Sequence, residues 1–485
     1  MEKLIRLMLE SWQNSEGNVN TMTGIHAWIA KMNSDANVDI KECNIHDSSF
    51  WFYDDRNGEI LNRKRSFFSI KGMRRFENGD FAYEQPIIIQ PEIGYLGIIF
   101  REIDGVLNFL MQAKIEPGNV NCVQISPTIQ ATKSNFTRVH GGKLPTYFSL
   151  FEQASAKNVV YDQVQSEQAS RFLHKRNRNI IMEIEDEIEI FPNYMWMTLG
   201  QIKELMRIDN LVNMDTRTVL AGIPLGLFHL PPGDYSSYRR YFSNEGFYHS
   251  AFDGSFATSL IPVFQAVNDF KMFHDIHSTL VPLHELVDWQ VDDRGVTGRK
   301  PRDFMVRYYD ITITGREVNQ WTQPLFKAIG QATFALLCQK QEGVMKFLIT
   351  LRSEIGTMDK VELGPSIQQE GSHVAAADDE IEAFFRSILA QKAGIIVDVI
   401  LSEEGGRFYH EQNRNVIIEI DENYVLPLPE KGRYGIANKK GNQHESSAVH
   451  VSQYFWVDYA SLNYLVNINN CLNIQLRNLL SLLPL

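Results

Sequence analysis

Short runs of β-branched and other apolar residues alternate along the chain with turn-forming residues, a pattern that predicts strands. The clearest runs are Ile87–Ile89, Leu96–Phe100 and Val123–Ile125. Their length and β-branched content favour buried strands over helices. Two further runs, Asn179–Ile184 (NIIMEI) and Asn415–Ile420 (NVIIEI), have closely similar sequences. We therefore expect the same strand to occur twice.

A helical pattern follows in each part of the chain. Thr198 and Gln201 have the spacing of a capping box, and the apolar residues after Thr198 fall on one helix face: Leu199, Ile202, Leu205 and Met206. Asp458 takes the capping position in the second copy, ahead of Leu462 and Leu465. Strands followed by a terminal helix, twice, predict a mixed α+β, or α/β, layered fold.

Motifs recur at a nearly constant spacing, which predicts an internal duplication. Trp51 with Asp54-Asp55 returns as Trp289 with Asp292-Asp293. Other matched pairs are Gln85-Pro86 with Gln323-Pro324, GVLNFL (105–110) with GVMKFL (343–348), and Asn177-Arg178-Asn179 with Asn413-Arg414-Asn415. This spacing is too long for a solenoid unit, so we expect two domain-sized halves.

The repeat divides the chain into four segments. The halves are residues 45–221 and 285–485, and an N-terminal extension, 1–44, is expected to be helical. Residues 222–284 connect the halves and are rich in aromatic side chains, so we expect them to pack on the halves rather than form a free linker. An insertion in the second half, around 431–447, is rich in Gly, Lys and Asn and is expected to be a surface loop.

Composition narrows the class of protein. The 485 residues are 44% hydrophobic and 11% aromatic and carry a net charge of −12, which suits folded cores and argues against a general nucleic-acid binder. The first residues do not resemble a signal peptide, and no apolar window is long enough to span a membrane. The four cysteines form no Cys-x-x-Cys pair. We expect a cytoplasmic protein without a membrane or nucleic-acid partner.

Several cofactor and metal motifs are missing from the sequence. It contains no G-x-G-x-x-G opening a helix after a strand, no His-Glu-x-x-His and no Gly-x-Ser-x-Gly. His274, His277 and His284 have no carboxylate or cysteine at tight ligand spacing, so core or surface histidines are favoured over a metal site.

The densest polar stretch runs from Gln112 to His140. Amide side chains interleave there with lysines, Glu116 and Arg138. Amides both donate and accept hydrogen bonds, which suits the recognition of sugar hydroxyls or of a base edge. The alternative is a polar loop region, because Pro117-Gly118 and Ser126-Pro127 are turn-forming pairs. The residue types favour the two interpretations equally.

A basic cluster follows at Arg171 and at His174–Asn179 (HKRNRN). In an acidic chain this cluster is a candidate anion pocket, since Arg offers a bidentate fork for a diphosphate. The alternatives are a solvated charged face, or a scaffold in which Arg178 and Arg414 pair with Glu183 and Glu419. The Arg138–His140 segment has no clear counterpart in the second half, so we expect the first half to carry the active site.

Three motifs together resemble one enzyme family. They are Gln112–Asn119 (QAKIEPGN), Ser126–Asn135 (SPTIQATKSN) and Lys175–Asn179 (KRNRN), and Asn213–Arg217 (NMDTR) fits the same pattern. The combination resembles the NDP-4-keto-6-deoxyhexose 2,3-dehydratases, and the similarity extends through both halves. This resemblance implies a fold of two tandem Nudix-like domains and a homodimer.

The resemblance also implies a reaction. The substrate is expected to be TDP-4-keto-6-deoxy-D-glucose, from which water is eliminated across C2 and C3 to give a 3,4-diketo-2,6-dideoxy sugar nucleotide. A separate C3 ketoreductase is then expected to consume this product in deoxysugar biosynthesis. The chain lacks the glutamate-rich Nudix box that holds magnesium, and the chemistry requires no redox cofactor, so neither a metal nor a cofactor is expected.

Such an elimination requires an acid, a base and donors for the enolate oxygen. Our candidates for acid and base are His140, Glu116 and Glu167, and Lys114 or Lys133 is the expected enolate stabiliser. The expected substrate-binding residues are Asn119, Gln130, Thr132, Ser134, Asn135, Arg138, Tyr147, Lys175, Asn177, Arg178, Asn179 and Trp196. Tyr147 and Trp196 are also consistent with core positions.

Two other functions fit parts of this pattern. A Nudix-like fold also suits a non-catalytic module that binds sugar nucleotides, and such a module would bind ligand without turnover. A diphosphate hydrolase would depend on magnesium and would release nucleoside monophosphate.

Overall fold

A computed structural model describes residues 1–136, 144–253, 260–314, 318–372, 380–428, 432–434, 449–451 and 453–484. The helices in these ranges are α1 (Glu2–Gln13), α2 (Met22–Asp35), α3 (Lys133–Phe136), α4 (Phe148–Phe151), α5 (Leu199–Leu205), α6 (Met214–Leu220), α7 (Glu245–Phe252), α8 (Ile261–Phe273), α9 (Glu380–Gln391), α10 (Tyr459–Leu465) and α11 (Ile474–Ser481).

The strands of the first part of the chain, up to residue 281, are β1 (Val38–Cys43), β2 (Trp51–Asp54), β3 (Glu59–Asn62), β4 (Ser69–Glu77), β5 (Asp80–Ile89), β6 (Ile93–Ile103), β7 (Val106–Ile115), β8 (Val123–Ser126), β9 (Ile129–Ala131), β10 (Val159–Ser166), β11 (Phe172–Leu173), β12 (Arg176–Glu183), β13 (Tyr194–Thr198) and β14 (Ile276–Val281). The later strands are β15 (Trp289–Asp292), β16 (Gly295–Gly298), β17 (Phe304–Ile313), β18 (Gln320–Ala328), β19 (Thr333–Gln341), β20 (Val344–Arg352), β21 (Glu362–Pro365), β22 (Ile367–Gln369), β23 (Ile395–Ser402), β24 (Phe408–Tyr409), β25 (Gln412–Ile420), β26 (Gly432–Tyr434), β27 (Val449–Val451) and β28 (Tyr454–Val457).

Two seven-stranded sheets have corresponding strand pairings. In the first, the order is β10-β12-β6-β7-β13, with β8 paired to β7 and β9 paired to β6. In the second, β23-β25-β19-β20-β28 follow in the same way, with β21 paired to β20 and β22 paired to β19. The strand predicted twice from sequence forms β12 and β25, and each lies parallel to its neighbour in the sheet, β6 or β19. The predicted mixed α/β fold is therefore confirmed.

Each of the two six-stranded sheets is completed by a strand from another part of the chain. The sheet β11-β5-β4-β3-β2 is completed by β14 from the connecting segment, which pairs antiparallel to β4. The sheet β24-β18-β17-β16-β15 is completed by β1 from the N-terminal segment, which pairs antiparallel to β17. Each added strand satisfies backbone groups at a sheet edge that would otherwise need another partner. The N-terminal segment thus contributes α1, α2 and a strand.

The main apolar core lies between the two seven-stranded sheets. It joins Ile98 and Phe109 of the first sheet to Leu336 and Ile417 of the second, and all four side chains are buried. Aromatic residues of the connecting segment belong to the same cluster, among them Tyr235, Tyr238 and Phe252. The two halves therefore share one continuous core. Removing its apolar area from water is the main favourable term in folding.

The two predicted helix starts are confirmed. The Thr198 hydroxyl accepts the backbone N–H of Gln201 at 3.2 Å, and the Gln201 side chain accepts the N–H of Thr198 at 3.0 Å, which completes the capping box of α5. Asp458 accepts the N–H of Ser461 at 2.8 Å and caps α10. Within the described ranges, no helix has both the length and the apolar character needed to cross a lipid bilayer.

Candidate active site

A cavity of about 1480 Å³ lies between the two halves of the chain. Seven of the predicted site residues line it: Lys114, Glu116, Gln130, Thr132, Glu167, Lys175 and Asn177. Asp215 and Gln90 of the first half and Glu404 and Arg407 of the second half line the same space. The polar stretch and the basic cluster, which the sequence identified separately, therefore meet in one cavity that both halves build.

Glu116 is held in the cavity wall by neighbouring strands. The ammonium group of Lys114 lies 3.3 Å from Glu116 Oε1, and the Gln130 side-chain amide donates to both Glu116 oxygens at 3.3 Å. Gln130 is itself fixed, because its oxygen accepts hydrogen bonds from Ser126 at 2.7 Å and from Asn213 at 3.1 Å. Asn213 also caps α6, so the start of that helix and the Glu116 carboxylate are positioned together.

Glu167 is buried, and only one of its two carboxyl oxygens has a hydrogen-bond partner among the described residues. The Asn177 amide donates to Glu167 Oε2 at 2.6 Å, whereas Glu167 Oε1 is buried without a partner among the described residues. Burial, reinforced by the nearby charge of Glu404, raises the pKa of Glu167 to about 7, against the opposing effect of Lys175. A carboxyl group with a pKa near neutrality suits proton transfer.

Two further carboxyl groups in the cavity have raised pKa values. Burial and then the charge of Glu116 raise the pKa of Glu404 to about 8. Burial, followed by the charges of Glu167 and Glu116, raises the pKa of Asp215 well above its ordinary value. Burial also lowers the pKa of Lys175, whose ammonium group donates to the Glu92 carbonyl at 2.7 Å. Perturbed carboxyl groups gathered in one cleft are typical of an active site.

Arg407 is a firmly held cationic residue in the cavity wall. Its guanidinium lies 4.4 Å from the ring centroids of both Phe67 and Phe68, and it donates to Gln90 Oε1 at 3.2 and 3.0 Å. Phe67 lines the cavity together with Phe50, Trp51 and Trp321. The cavity thus has a carboxylate-rich region, an aromatic region and five cationic side chains: Lys41, Lys64, Lys114, Lys175 and Arg407.

Other predicted site residues have structural partners. Arg178 forms a bidentate pair with Asp162 at 2.7 and 2.5 Å and lies over the Tyr95 ring, so its carboxylate partner is Asp162 and not the expected Glu183. Asn179 donates to the Asn177 carbonyl at 3.1 Å. Asn119 donates to the carbonyls of Lys114 and Cys122 and closes the turn after β7.

Of the remaining predicted residues whose side chains are described, Lys133, Tyr147 and Trp196 do not line the cavity. The Tyr147 hydroxyl donates to the Glu189 carbonyl at 2.7 Å. Trp196 is buried in an apolar cluster with Leu110 and Ile180. Lys133 is exposed in α3, which also contains the backbone of Ser134 and Asn135, whose side chains are not described. Arg138 and His140 lie outside the described residues, so their roles stay predictions.

Gln90, Asp215, Glu404 and Arg407 are among the cavity residues that received no role from the sequence. Asp215 belongs to the NMDTR motif that carried the family resemblance, and that motif was the available signal. Glu404 and Arg407 occupy the repeat positions of Gln168 and Arg171. The replacement of the Gln168 amide by a carboxylate at Glu404 was therefore a sequence signal for a site residue. No sequence pattern indicates Gln90. Among the described residues, no three His, Cys, Asp or Glu side chains are arranged to hold a metal ion.

Residues 22–223 and 262–435 match the family described as NDP-hexose 2,3-dehydratase. The chain belongs to this family. The resemblance found in the sequence is therefore confirmed, and the chain is a hydro-lyase that acts on a nucleotide-linked hexose. The non-catalytic alternative is not favoured.

Three curated relatives cover nearly the whole chain, and all are named dTDP-4-dehydro-6-deoxy-alpha-D-glucopyranose 2,3-dehydratase. The protein from Streptomyces violaceoruber is 36% identical over 96% of this chain and 97% of its own length. The proteins from Saccharopolyspora spinosa and Amycolatopsis orientalis are 34% and 33% identical, over 95% and 94% of this chain and 90% and 89% of their own. A solved structure titled as an ADP compounds hydrolase matches 27% of this chain and 71% of its own, at 16% identity with a TM-score of 0.16, too low to bear on the fold.

Proposed function

We propose that this dehydratase acts on dTDP-4-keto-6-deoxy-D-glucose and converts it to a 3,4-diketo-2,6-dideoxy sugar nucleotide. The observation that carries the proposal is the group of carboxyls in one cavity, the buried Glu167 and Asp215 and the partly buried Glu116, beside the ammonium group of Lys114. The names of three relatives that match nearly the full chain support the substrate.

The chemistry follows from the C4 ketone. This ketone acidifies the C3 proton, and a base removes that proton to give an enolate. The enolate expels the C2 hydroxyl as water once an acid supplies a proton. The resulting enol takes up a proton at C2 and becomes the 3,4-diketone, so C3 is oxidised, C2 is reduced and no external oxidant or reductant is consumed.

Glu167 is our proposed base for the C3 proton. Its pKa of about 7 keeps a large fraction ionised near neutral pH, and its Oε1 is buried without a partner among the described residues. Lys114 is the proposed donor to the enolate oxygen, because its ammonium group lies beside Glu116 at the same wall. His140 and Glu116 remain the other acid and base candidates.

The two remaining regions of the cavity suit the nucleotide. Lys175 and Arg407 provide positive charge for the diphosphate, and Phe50, Phe67 and Trp321 provide flat surfaces for the thymine ring. The corresponding pairings of the two seven-stranded sheets support a tandem duplication, and the Nudix-like character of each half stays a prediction. The homodimer, the downstream C3 ketoreductase and the cytoplasmic location stay predictions.

The first prediction is a mass change measured on the wild-type protein. Incubation with dTDP-4-keto-6-deoxy-D-glucose in heavy water, without added metal, is expected to give loss of one water and uptake of solvent deuterium at C2. A C3 ketoreductase added to the reaction traps the diketone for mass spectrometry. Tight dTDP binding without any mass change would contradict the proposal and favour a binding module. Release of dTMP only with magnesium would instead indicate a hydrolase.

A further inference from the structure

A loop of the second half, residues 404–408, packs against the first half at the cavity. The N–H of Gly118 donates to the Gly405 carbonyl at 2.7 Å, and the N–H of His410 donates to the Gly118 carbonyl at 3.0 Å. A Cβ atom at Gly405 would overlap the Asn119 side chain, and its next contacts would be the Asn119 backbone nitrogen and Glu116 Cβ, both at 3.0 Å. The loop therefore packs against the turn that carries Glu116.

Glu404 is held at the cavity end of this loop. Its Oε1 accepts the N–H of Gly406 at 2.8 Å, and the backbone turn is closed by the N–H of Phe408, which donates to the Glu404 carbonyl at 3.1 Å. Arg407 anchors the same loop through Gln90 and the two phenylalanine rings. The fixed backbone leaves Glu404 facing the cavity with the carboxyls of the first half.

The second half contains carboxyl–amide pairs that correspond to those of the first half, so the two sets can be compared. In the second half, Asn413 donates to Glu403 at 2.5 Å, just as Asn177 donates to Glu167, and Gln368 donates to Glu354 at 2.7 Å, just as Gln130 donates to Glu116. We call the group of Glu354, Gln368, Glu403 and Glu411 the second cluster. Arg171 lies near Glu403 and Glu411 and has its own pair with Glu370 at 3.0 Å.

The two clusters differ at the position of Glu404. The matching residue beside the second cluster is Gln168, which is buried and closes an equivalent turn, with the N–H of Phe172 donating to its carbonyl at 2.9 Å. The fold therefore accepts an amide at this place, and the carboxyl group of Glu404 is not required for the turn. A titratable group that lines the cavity and that the fold does not require indicates a chemical role.

We propose that Glu404, supplied by the second half, is the catalytic acid that protonates the C2 hydroxyl as it leaves. This inference rests on the proposed function. After Glu167 takes the C3 proton, the enolate electron pair forms the C2–C3 double bond, and the C2–O bond breaks. The Glu404 carboxyl transfers its proton to that oxygen, water departs, and Glu404 is left as a carboxylate. The proton on Glu167 and solvent exchange then restore both groups.

The acid–base states support this division of roles. Glu404 has a pKa of about 8 and Glu167 a pKa of about 7, so the base is ionised and the acid protonated in the interval between them. The charged groups that face Glu404 come from both halves: Glu116, Asp215 and Lys114 from the first, and Arg407 from its own loop. Glu116 and Asp215 raise its pKa, whereas Arg407 and Lys114 lower it.

The pH dependence is therefore a second prediction. The wild-type kcat/KM for water elimination is expected to rise as Glu167 ionises near pH 7 and to fall as Glu404 loses its proton near pH 8. The measurement is a pH–rate profile with the substrate at limiting concentration. A rate that keeps rising well above pH 8 would contradict a protonated carboxyl as the acid.

The decisive variant is Glu404→Gln, which places at 404 the residue found at the matching position 168. We expect dTDP affinity and the melting temperature to be kept and deuterium exchange at C3 to continue. Water loss is expected to fall by about a hundredfold or more, and the basic limb of the pH profile to disappear. The matched control is Glu411→Gln, because Glu411 has a similarly raised pKa of about 8 but belongs to the second cluster. That control is expected to turn over like the wild type.

Three outcomes would overturn the inference while leaving the proposed function intact. They are water loss by Glu404→Gln near the wild-type rate, loss of C3 exchange together with water loss, and an equal defect in Glu411→Gln. If Glu404→Gln fails to fold, Glu404→Asp tests the same role, because a retained carboxyl must keep measurable elimination and a basic limb in the pH profile. Failure of the proposed function is distinct, since the wild type would then show neither exchange nor water loss.

Discussion

Replacing Glu167 with glutamine is expected to lower kcat for water elimination by about a thousandfold, within the usual contribution of a general base. The amide keeps the shape of the side chain and can still accept the hydrogen bond from Asn177, which lies at 2.6 Å from Glu167 Oε2. It has no basic oxygen to remove the C3 proton. We therefore expect both C3 deuterium exchange and water loss to disappear while dTDP still binds, as measured by mass spectrometry and calorimetry.

The matched control for this variant is Glu403→Gln. Glu403 is equally buried and accepts the same kind of hydrogen bond, from Asn413 at 2.5 Å, but it belongs to the second cluster. Wild-type turnover in this control separates catalysis from the general cost of changing a buried carboxyl. C3 exchange that persists in Glu167→Gln would assign the base to another residue, with Glu116 and His140 as the next candidates.

Gly118→Ala is expected to destabilise the protein by about 3 kcal/mol, the cost of overpacking a tightly packed contact. A Cβ atom at Gly118 would overlap the carbonyl group of Phe408 and would lie 2.9 Å from the carbonyl oxygen of Gly405. Both carbonyl groups belong to the backbone of the loop that carries Glu404. A backbone group cannot rotate away as a long side chain can. We expect a lower midpoint of denaturant unfolding and, because the loop must shift, a large loss of turnover.

Gly24→Ala is the control for the stability measurement. Gly24 is exposed in α2, and an added Cβ atom would meet only the Thr21 hydroxyl, at 3.3 Å. Alanine is favoured over glycine within a helix by roughly 1 kcal/mol, so this variant is expected to fold at least as stably as the wild type. Unchanged stability and turnover in Gly118→Ala would show that the loop at Gly405 does not require this close approach.

The sequence by itself determined the local elements and the family. The repeated strand, the capping box at Thr198 and the cap at Asp458 were all correct, because each depends on residues close together in the chain. The QAKIEPGN, SPTIQATKSN and KRNRN motifs identified the NDP-hexose 2,3-dehydratases, and the family match confirmed this. Residue types also made the polar stretch and the basic cluster candidates for chemistry, and seven of the predicted side chains do line one cavity.

Only the tertiary structure decided which polar residues share that cavity. Arg178 and Asp162 are paired across neighbouring strands, so a residue that suited a diphosphate by type already has an internal partner. Glu404 lines the same cavity as Glu116 because the second half folds back and its backbone hydrogen-bonds to Gly118. The exchange of β1 and β14 between the six-stranded sheets is equally invisible in local patterns. Hydrophobic periodicity reports which face of an element is buried, whereas the identity of the partner is set by contacts between distant segments.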